Sequence, residues 1–583
     1  FFSPCSYSID FLFFFCYTHL GFRKFCLETK KQREWDTITM IKNYVSQLKS
    51  EFQNYTGADC MKDLMAGLTV AAVALPLALA FGVSSGSTAA AGLVTAIIAG
   101  LVIGALSGGY YQISGPTGAM AAILISIIAR YGMQGVFTAT LIAGILLVLC
   151  GIFHIGRLTS FIPAPVITGF TSGIAVIIAL GQIDNFFGVT SEGSSAVVKL
   201  LSYGHLGFPV NIQAAGLGLF VVLFMVFFPK KWNAVVPASF LSIILATILS
   251  VCLNLDIQTV GAIPKTLFLD TRLDLAAITP ANLSGLIGPA VSIAMLGMIE
   301  SLLCGASAGK MANVRLNSDQ ELVAQGIGNI ILPFFGGIPA TAAIARTSVA
   351  LKSGARTRLT GIFHALGLLA FMFILGPVMA KIPLSALAGV LMVTAFRMND
   401  WQEIKYIFSH HFKGAAAKYI ITMAATIVFD LTTAILIGVV TALVLLVSRL
   451  ANIEINYEKV DMDRVRSTDA ALAKEYDNAV VAYLTGAVIF ANTQAIEEIE
   501  ACTKDFDTVL LSMRGVSYMD ISGAIAFMHV LSDLQEKGKR ILLCGVPGST
   551  MAMLKRSDIY DMIGEENFYW SVEKAILHRE GLH

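Results

Sequence analysis

The sequence ISGPTGAMAA (113–122) interrupts an apolar segment with glycine and proline, and GIPATAAIA (337–345) does the same in the second half of the chain. Their prolines, Pro116 and Pro339, are 223 residues apart. The same offset carries the first apolar segment of the chain onto the eighth. Matching broken segments in two halves are typical of transporters that are built from repeats and bind their substrate near the bilayer midplane.

The composition is that of a membrane protein. Of the 583 residues, 56% are hydrophobic and 14% are charged, and the mean hydropathy is +0.73. Soluble domains carry about a quarter charged residues. The formal net charge of +1 offers no basic surface for nucleic acid, and the nine cysteines show neither C-x-x-C nor Cys/His metal spacing. We therefore expect no nucleic-acid partner, no metal and no cofactor.

Fourteen apolar segments are suited to the bilayer, which predicts an all-α membrane domain with seven segments in each half. Segments 116–130 and 340–351 are too short for a hydrocarbon core of about 30 Å at about 1.5 Å per residue. A polar connection around 254–284 separates the halves. The fourteen segments run at 65–82, 89–106, 116–130, 135–152, 163–181, 211–228, 235–253, 286–305, 319–334, 340–351, 359–379, 384–396, 415–430 and 432–449.

The basic residues of the loops predict the orientation in the membrane. With the N-terminus inside, the inner loops carry twelve lysines and arginines against five in the outer loops. Cytoplasmic loops are the ones enriched in lysine and arginine. We therefore expect a protein of the inner or plasma membrane with both termini in the cytoplasm.

Each break is predicted to begin a half-helix that binds an anion. Pro116 and Pro339 suit the first turn of a helix, where their missing N–H costs nothing. Helix N-termini carry about half a positive charge and bind anions. Two half-helices that point at each other would form an anion site without a cofactor. The residues expected to present free backbone N–H groups are Thr117, Gly118 and Ala119 in the first half and Ala340, Thr341 and Ala342 in the second.

Two charged residues within apolar segments are candidates for function, because a charge inside the membrane is expensive. Arg346 follows the second break and would add a fixed positive charge that suits an oxyanion. It could instead extend to the cytoplasmic side with Arg356 and Arg358. Glu300 is the only acidic residue within 286–305. It could take up a proton, complete a sodium site, or serve as a structural carboxylate neutralised by Arg346.

The chain resembles the sulfate permease (SulP) family, whose animal members include prestin and pendrin. Three stretches carry the resemblance, in order: AGLTVAAVALPLALAFGVSSG (66–86), ISGPTGAMAA (113–122) and GGIPATAAIARTSV (336–349). The likeness extends from about Met61 to the C-terminus. It implies the seven-plus-seven inverted-repeat fold shared with uracil permease, in which a core domain moves against a gate domain, and it implies a homodimer.

The resemblance also implies an activity and site residues. The family holds its anion between the third and tenth segments, and its site arginine, aromatic site residue and acidic coupling residue fall on Arg346, Phe81 and Glu300. Leu77 stands where the family usually has a polar residue, so the choice among sulfate, bicarbonate and dicarboxylates stays open. The implied activity is secondary active transport of a small oxyanion by alternating access, coupled to protons or, alternatively, to sodium.

The composition changes after Ala451, where charges return and short apolar runs alternate with helical stretches. This alternation predicts a small cytoplasmic α/β domain. In the first 39 residues the charges follow the apolar run, unlike in a signal peptide. We predict a non-native upstream extension at 1–39, a cytoplasmic segment at 40–64, a transport domain at 65–451, a linker at 452–476 and the α/β domain at 477–583. A genuine short anchor at 1–39 is the alternative.

The C-terminal domain resembles the STAS domain, the fold shared with anti-sigma-factor antagonists. Its diagnostic stretch is VSYMDISGAIAF (516–527). The antagonists are phosphorylated on a serine that corresponds to Ser522, which implies a regulatory site and a regulatory protein partner. A phosphate would suit this helix N-terminus, but Asp520 and Ser522 could instead cap the helix.

Three other functions remain open on the sequence alone. A nucleobase permease would carry a second carboxylate where this chain has Arg346, and it would lack the STAS domain. A passive anion channel would never build a gradient, and a membrane sensor would bind without flux. We do not expect an enzyme, because the sequence has no nucleophile–base pair, P-loop or metal cluster.

Overall fold

The computed structural model describes most of the chain in seven ranges, and the predicted extension at 1–39 lies outside them. Most of the predicted linker also lies outside them. The chain divides into two compact units, Phe1–Val439 and Val440–His583, which we describe separately. The described ranges are 42–156, 163–192, 196–229, 237–277, 280–429, 431–460 and 476–577.

The described chain contains the fourteen predicted apolar segments as helices, with the third and fourth segments joined in one helix. Among the described residues, seven helices are long and apolar enough to cross a membrane. Three others are apolar but shorter, at Ile212–Phe227, Ala238–Cys252 and Leu384–Arg397. The helices of the first half are α1 (Gly57–Ser84), α2 (Ala89–Leu106), α3 (Gly118–Ile152), α4 (Ala164–Gly181), α5 (Ile183–Phe187), α6 (Ala196–Leu206), α7 (Ile212–Phe227) and α8 (Ala238–Cys252). Those of the second half are α9 (Pro280–Ala312), α10 (Ser318–Ile331), α11 (Ile344–Lys352), α12 (Leu359–Met379), α13 (Leu384–Arg397), α14 (Trp401–Ser409), α15 (Lys413–Val428) and α16 (Leu431–Leu450).

Local sequence explains where several of these helices begin and bend. Thr56 and Asp59 form a capping box at the start of α1. The side chain of Thr88 accepts a hydrogen bond from the first turn of α2 in the same way. Gly132, with φ of 64°, bends α3 into the third and fourth segments, because glycine tolerates a positive φ.

The helix contacts repeat between the halves, as an inverted repeat requires. Helices α1 and α2 of the first half both pack on α12 of the second half. Their counterparts in the second half, α9 and α10, both pack on α3 of the first half. Likewise α4 packs on α15 as α13 packs on α7. Because each half has an odd number of segments, the second half is inverted in the membrane. The predicted seven-plus-seven fold is confirmed.

Glycine lets α10 and α3 approach until their backbones touch. A Cβ atom on Gly326 would lie 2.6 Å from the carbonyl oxygen of Gly144 and 2.6 Å from the backbone nitrogen of Val148. Small residues at such crossings are the usual means of close packing in membranes. This contact fixes α10, whose polar face supports the candidate site.

The second unit contains the predicted STAS domain. Its elements are β3 (Glu454–Lys459), β4 (Ala479–Val488), α17 (Thr493–Cys502), β5 (Thr508–Met519), α18 (Ile521–Glu536), β6 (Arg540–Cys544), α19 (Gly548–Arg556), α20 (Ile559–Ile563), β7 (Phe568–Tyr569) and α21 (Val572–Ile576), where β1 and β2 are two short strands of the first unit. The described strands form a five-stranded sheet in the order β3-β4-β5-β6-β7, in which β3 and β4 are antiparallel and the other neighbours are parallel. Apolar side chains of α17 and α18 cover one face, and α21 covers part of the other.

The substitution Gly326→Ala tests the crossing of α10 and α3. We expect it to lower the free energy of unfolding by about 1–3 kcal/mol, because the new methyl group meets backbone atoms that cannot rotate away. Thermal melting of the detergent-purified protein measures the change. Gly216→Ala in α7 is the control, since a Cβ atom there meets nothing within 4 Å. Equal melting temperatures for the two variants would contradict the described packing.

Candidate functional site

The two chain breaks pair with each other. Strand β1 (Ser114–Gly115) and strand β2 (Thr341–Ala342) are antiparallel, with Ser114 opposite Ala342 and Gly115 opposite Thr341. Helices α3 and α11 begin a few residues after these strands. The pairing therefore brings the N-termini of two half-helices, one from each half of the chain, to the same place.

The start of α3 is buried beneath two apolar side chains. Thr117 is the N-cap, and Pro116 precedes it. A Cβ atom on Gly118 would lie 3.1 Å from Cε1 of Phe81 and 2.2 Å from Cδ1 of Ile178. Phe81 thus lies against the break, where the resemblance puts it, and Ile178 of α4 covers the same turn.

The start of α11 differs from the prediction. The helix begins at Ile344, after β2, and not at Ala340. The N–H of Ala340 donates to Oδ1 of Asn329 at 2.9 Å, and the N–H of Ala342 donates to Oγ of Ser301 at 3.3 Å. The expectation that these two N–H groups are free was wrong, because strand pairing keeps the chain extended as far as Ala342.

The N–H groups at the start of α11 therefore come from later residues than predicted. A helix leaves the N–H groups of its first turn without intrahelical partners, and here these belong to Ile344, Ala345 and Arg346. Ile344 and Ala345 are exposed, whereas Gly118 and Ala119 at the start of α3 are buried. The open half-helix end in this conformation is that of α11.

Arg346 lies between the two breaks and is 1% exposed. Its Nη2 donates to the carbonyl oxygen of Pro116 at 2.9 Å, so that a side chain of one half binds the backbone of the other. Its Nη1 has no hydrogen-bond partner in the part of the chain that the structure describes. A Cβ atom on Gly115 would lie 2.4 Å from Nη1, so only glycine leaves room for the guanidinium. This burial excludes the extension of Arg346 to the cytoplasmic side.

Glu300 joins the eighth segment to the first break. Its Oε2 accepts a hydrogen bond of 3.0 Å from Oγ1 of Thr117, the N-cap of α3. The residue is only partly buried. Within the described ranges, no lysine, arginine or histidine nitrogen lies within 4.0 Å of its carboxylate. Arg346 and Glu300 therefore act on the same break but do not form an ion pair.

A polar face of α10 holds both breaks, and the sequence reading missed it. Glu321, Gln325 and Asn329 follow one another at intervals of four residues and are buried. Nε2 of Gln325 donates to Oγ of Ser114 at 2.8 Å, and Asn329 exchanges two hydrogen bonds with the backbone of Ala340. The four-residue spacing of polar residues in an apolar segment is the signal that could have revealed this face.

Helices α2 and α9 support the second break from two further directions. Oγ1 of Thr95 in α2 accepts a hydrogen bond of 2.7 Å from the N–H of Ile338. Oγ of Ser301 in α9 lies 2.8 Å from Oγ1 of Thr341. The backbone that leads into α11 is therefore held by side chains of three helices, which makes a preorganised site.

In the STAS domain, Asp520 caps helix α18 with one carboxylate oxygen and binds the chain after β4 with the other. Oδ1 accepts from the N–H of Gly523 at 2.8 Å, and Oδ2 accepts from the N–H of Phe490 at 2.9 Å. Ser522 lies in the first turn and is partly buried. The structure thus gives Asp520 the capping role.

In the ranges that the structure describes, no cluster of three or more histidine, cysteine, aspartate or glutamate side chains could hold a metal ion. The groups that the structure brings together at the two breaks are a guanidinium, a carboxylate, hydroxyls and backbone N–H groups.

Comparison with known proteins gives the family. The model of the sulfate permease family matches residues 61–425, and the STAS domain model matches residues 470–575. YvdB of Bacillus subtilis (strain 168), which is provisionally named a sulfate transporter, is 32% identical over 540 residues, covering 90% of this chain and 98% of that protein.

Solved structures show the same fold. The transmembrane domain of a cyanobacterium bicarbonate transporter, BicA, matches with a TM-score of 0.61 and 30% identity, covering 65% of this chain and 98% of that chain. The structure of SLC26A9 matches with a TM-score of 0.77 and 18% identity, covering 93% of this chain and 94% of that chain. The chain therefore belongs to the sulfate permease family, and it is an integral membrane transporter and not an enzyme.

Proposed function

We propose that this protein is a secondary active transporter that moves a small oxyanion across the membrane by alternating access and couples this movement to protons. The observation that carries the proposal is the unpaired Nη1 of Arg346, buried where the two half-helices begin. The substrate class is sulfate, bicarbonate or a dicarboxylate. Relatives that are named for sulfate and for bicarbonate transport support this class.

An oxyanion would satisfy groups that otherwise stay unpaired. A buried guanidinium nitrogen without an acceptor costs free energy, and an oxyanion can accept from it in a charge-assisted hydrogen bond. The first-turn N–H groups of Ile344 and Ala345 add the positive end of a helix dipole. Because Glu300 is not paired with Arg346, the positive charge of Arg346 remains available to the anion.

Two acids near the breaks, the buried Glu321 and the partly buried Glu300, differ in their fitness to carry a proton. Glu321 accepts three hydrogen bonds, from Oγ of Ser107, the N–H of Gly108 and Nε2 of Gln325. Protonation of Glu321 would break part of this set. Among the described residues, Glu300 accepts one hydrogen bond, from the hydroxyl of Thr117, and this hydroxyl can itself accept a hydrogen bond. Glu300 can therefore gain or lose a proton while Thr117 reorients, which favours Glu300 over Glu321 as the coupling residue.

The proposal extends to the arrangement of the whole chain. Transport is assigned to residues 65–451 and regulation to residues 477–583, in a homodimer with both termini in the cytoplasm. The basic residues of the inner loops support this orientation. Four exposed apolar side chains near the start of α18 support a protein partner close to Ser522, and phosphorylation there would add charge to this surface. They are Phe490, Tyr518, Ile521 and Ile525.

Arg346→Ala should weaken anion binding. Loss of a hydrogen bond to a charged group costs about 1.5–3 kcal/mol, which is roughly a 10- to 150-fold rise in Kd. Isothermal titration of the purified protein with sodium sulfate and with sodium bicarbonate measures it. Arg356→Ala is the matched control, because it removes an exposed arginine from the same region. An unchanged Kd in Arg346→Ala would contradict the assigned site.

Gly115→Ala provides an independent check on the same assignment. The added methyl group would occupy the place of Nη1 of Arg346, so that the guanidinium must move although its charge is retained. We expect a rise in Kd in the same direction as for Arg346→Ala. Gly216→Ala, whose Cβ atom meets nothing within 4 Å, should leave Kd unchanged.

Glu300→Gln should separate binding from coupling. The amide oxygen of glutamine can still accept from Thr117 but cannot be protonated at physiological pH, so we expect anion binding to persist while accumulation driven by a proton gradient is lost. Uptake into proteoliposomes with and without an inward proton gradient measures this. Glu403→Gln is the matched control, because Glu403 also accepts from a threonine hydroxyl, that of Thr168 at 2.6 Å. Undiminished accumulation in Glu300→Gln would remove the coupling role.

A further inference from the structure

A buried ion pair between Glu51 and Arg358 joins the helix over 42–51 to the start of α12. Glu51 accepts hydrogen bonds from Nη2 of Arg358 at 2.8 Å and from Nε at 3.0 Å, and its Oε1 accepts from the backbone N–H of Arg358 at 2.6 Å. The side chains of Arg358 and Glu51 are 4% and 5% exposed. Such a buried, bidentate pair fixes both partners in position.

The same helix also contacts the turn that leads into the first break. Nη1 of Arg358 donates to the carbonyl oxygen of Ala105 at 2.7 Å, and so does the hydroxyl of Tyr44 at 2.6 Å. Nε2 of Gln47 donates to the carbonyl oxygen of Gly108 at 3.0 Å. Arg358 follows α11, and residues 105–108 precede β1. The helix therefore bridges the chain before one break and the chain after the other.

Gly108 joins this bridge to a chain of hydrogen bonds that runs to Ser114 in the first break, because its N–H donates to Oε2 of Glu321 at 3.0 Å. Oγ of Ser107 donates to Oε2 of Glu321, and Oε1 of Glu321 accepts from Nε2 of Gln325 at 2.8 Å. Nε2 of Gln325 also donates to Oγ of Ser114, at 2.8 Å. Ser114 lies next to Gly115, on which the guanidinium of Arg346 packs.

We propose that the helix over 42–51 is a positioning element of the anion site, in which Glu51 holds Arg358 so that β1, β2 and the starts of α3 and α11 keep the spacing that anion binding needs. The inference rests on the proposed function, because it concerns the affinity of that same site. Glu51 does not touch the anion. It acts through Arg358 and the polar chain from Ser107 to Ser114.

The geometry of the site explains why a distant contact matters for affinity. Nη2 of Arg346 reaches the backbone of the first break, while Arg346 itself belongs to the second. A shift of one break against the other therefore displaces the guanidinium from the half-helix that it serves. Loss of the hydrogen bond between the displaced guanidinium and the anion would raise Kd roughly 10- to 150-fold.

The test is isothermal titration of full-length Glu51→Gln and Glu51→Asp with sodium sulfate, sodium bicarbonate and sodium succinate, beside the wild type. We expect Kd to rise roughly 10- to 150-fold in Glu51→Gln, with a smaller rise in Glu51→Asp, which keeps the charge. Lys49→Gln changes an exposed charge of the same helix and should leave Kd unchanged. Kd is measured on monodisperse, folded protein, so loss of a contact that only adds stability would lower the melting temperature and leave Kd unchanged.

The outcomes distinguish this inference from the function on which it rests. If the wild type binds an anion and Glu51→Gln binds it with the same Kd, the positioning role is overturned and the proposed function stands. If the wild type binds none of the three anions, both the inference and the proposed function are overturned. Partial rescue by Glu51→Asp, with a lost affinity in Glu51→Gln, supports the positioning role.

Discussion

The hydrogen bond from Nη2 of Arg346 to the carbonyl oxygen of Pro116 is the contact on which the site depends. It joins the second half of the chain to the first at the point where β1 and β2 pair. Removal of an arginine from water is costly in a membrane, and this bond satisfies only part of its donors. Nη1 of Arg346 has no hydrogen-bond partner among the described residues, and this free donor makes the junction of the two breaks suited to an anion.

The rest of the transport unit can be understood as support for this contact. Two repeats with matched helix packing bring the breaks together, and glycine at position 115 leaves room for the guanidinium. Side chains from α2, α9 and α10 fix the extended backbone that precedes α11. Under the proposed function, such a site would bind its anion with little rearrangement of its own groups, which is the usual source of affinity in preorganised sites.

Much of this architecture is predictable from the sequence. Long apolar segments give the helices, and the paired Gly/Pro breaks at Pro116 and Pro339 give the repeat, because both signals are local. The register of β1 with β2 and the start of α11 at Ile344 were not predictable, since they follow from pairing between residues more than two hundred positions apart. The support from Gln325 likewise depends on tertiary packing.

The most direct test of the account is uptake of radiolabelled sulfate, bicarbonate and succinate into proteoliposomes that contain the purified protein, each with and without an inward proton or sodium gradient. The account predicts accumulation of at least one of these anions above its equilibrium level when a proton gradient is imposed, and no such accumulation under a sodium gradient alone. Flux that never exceeds equilibrium, or binding without flux for all three anions, would contradict it.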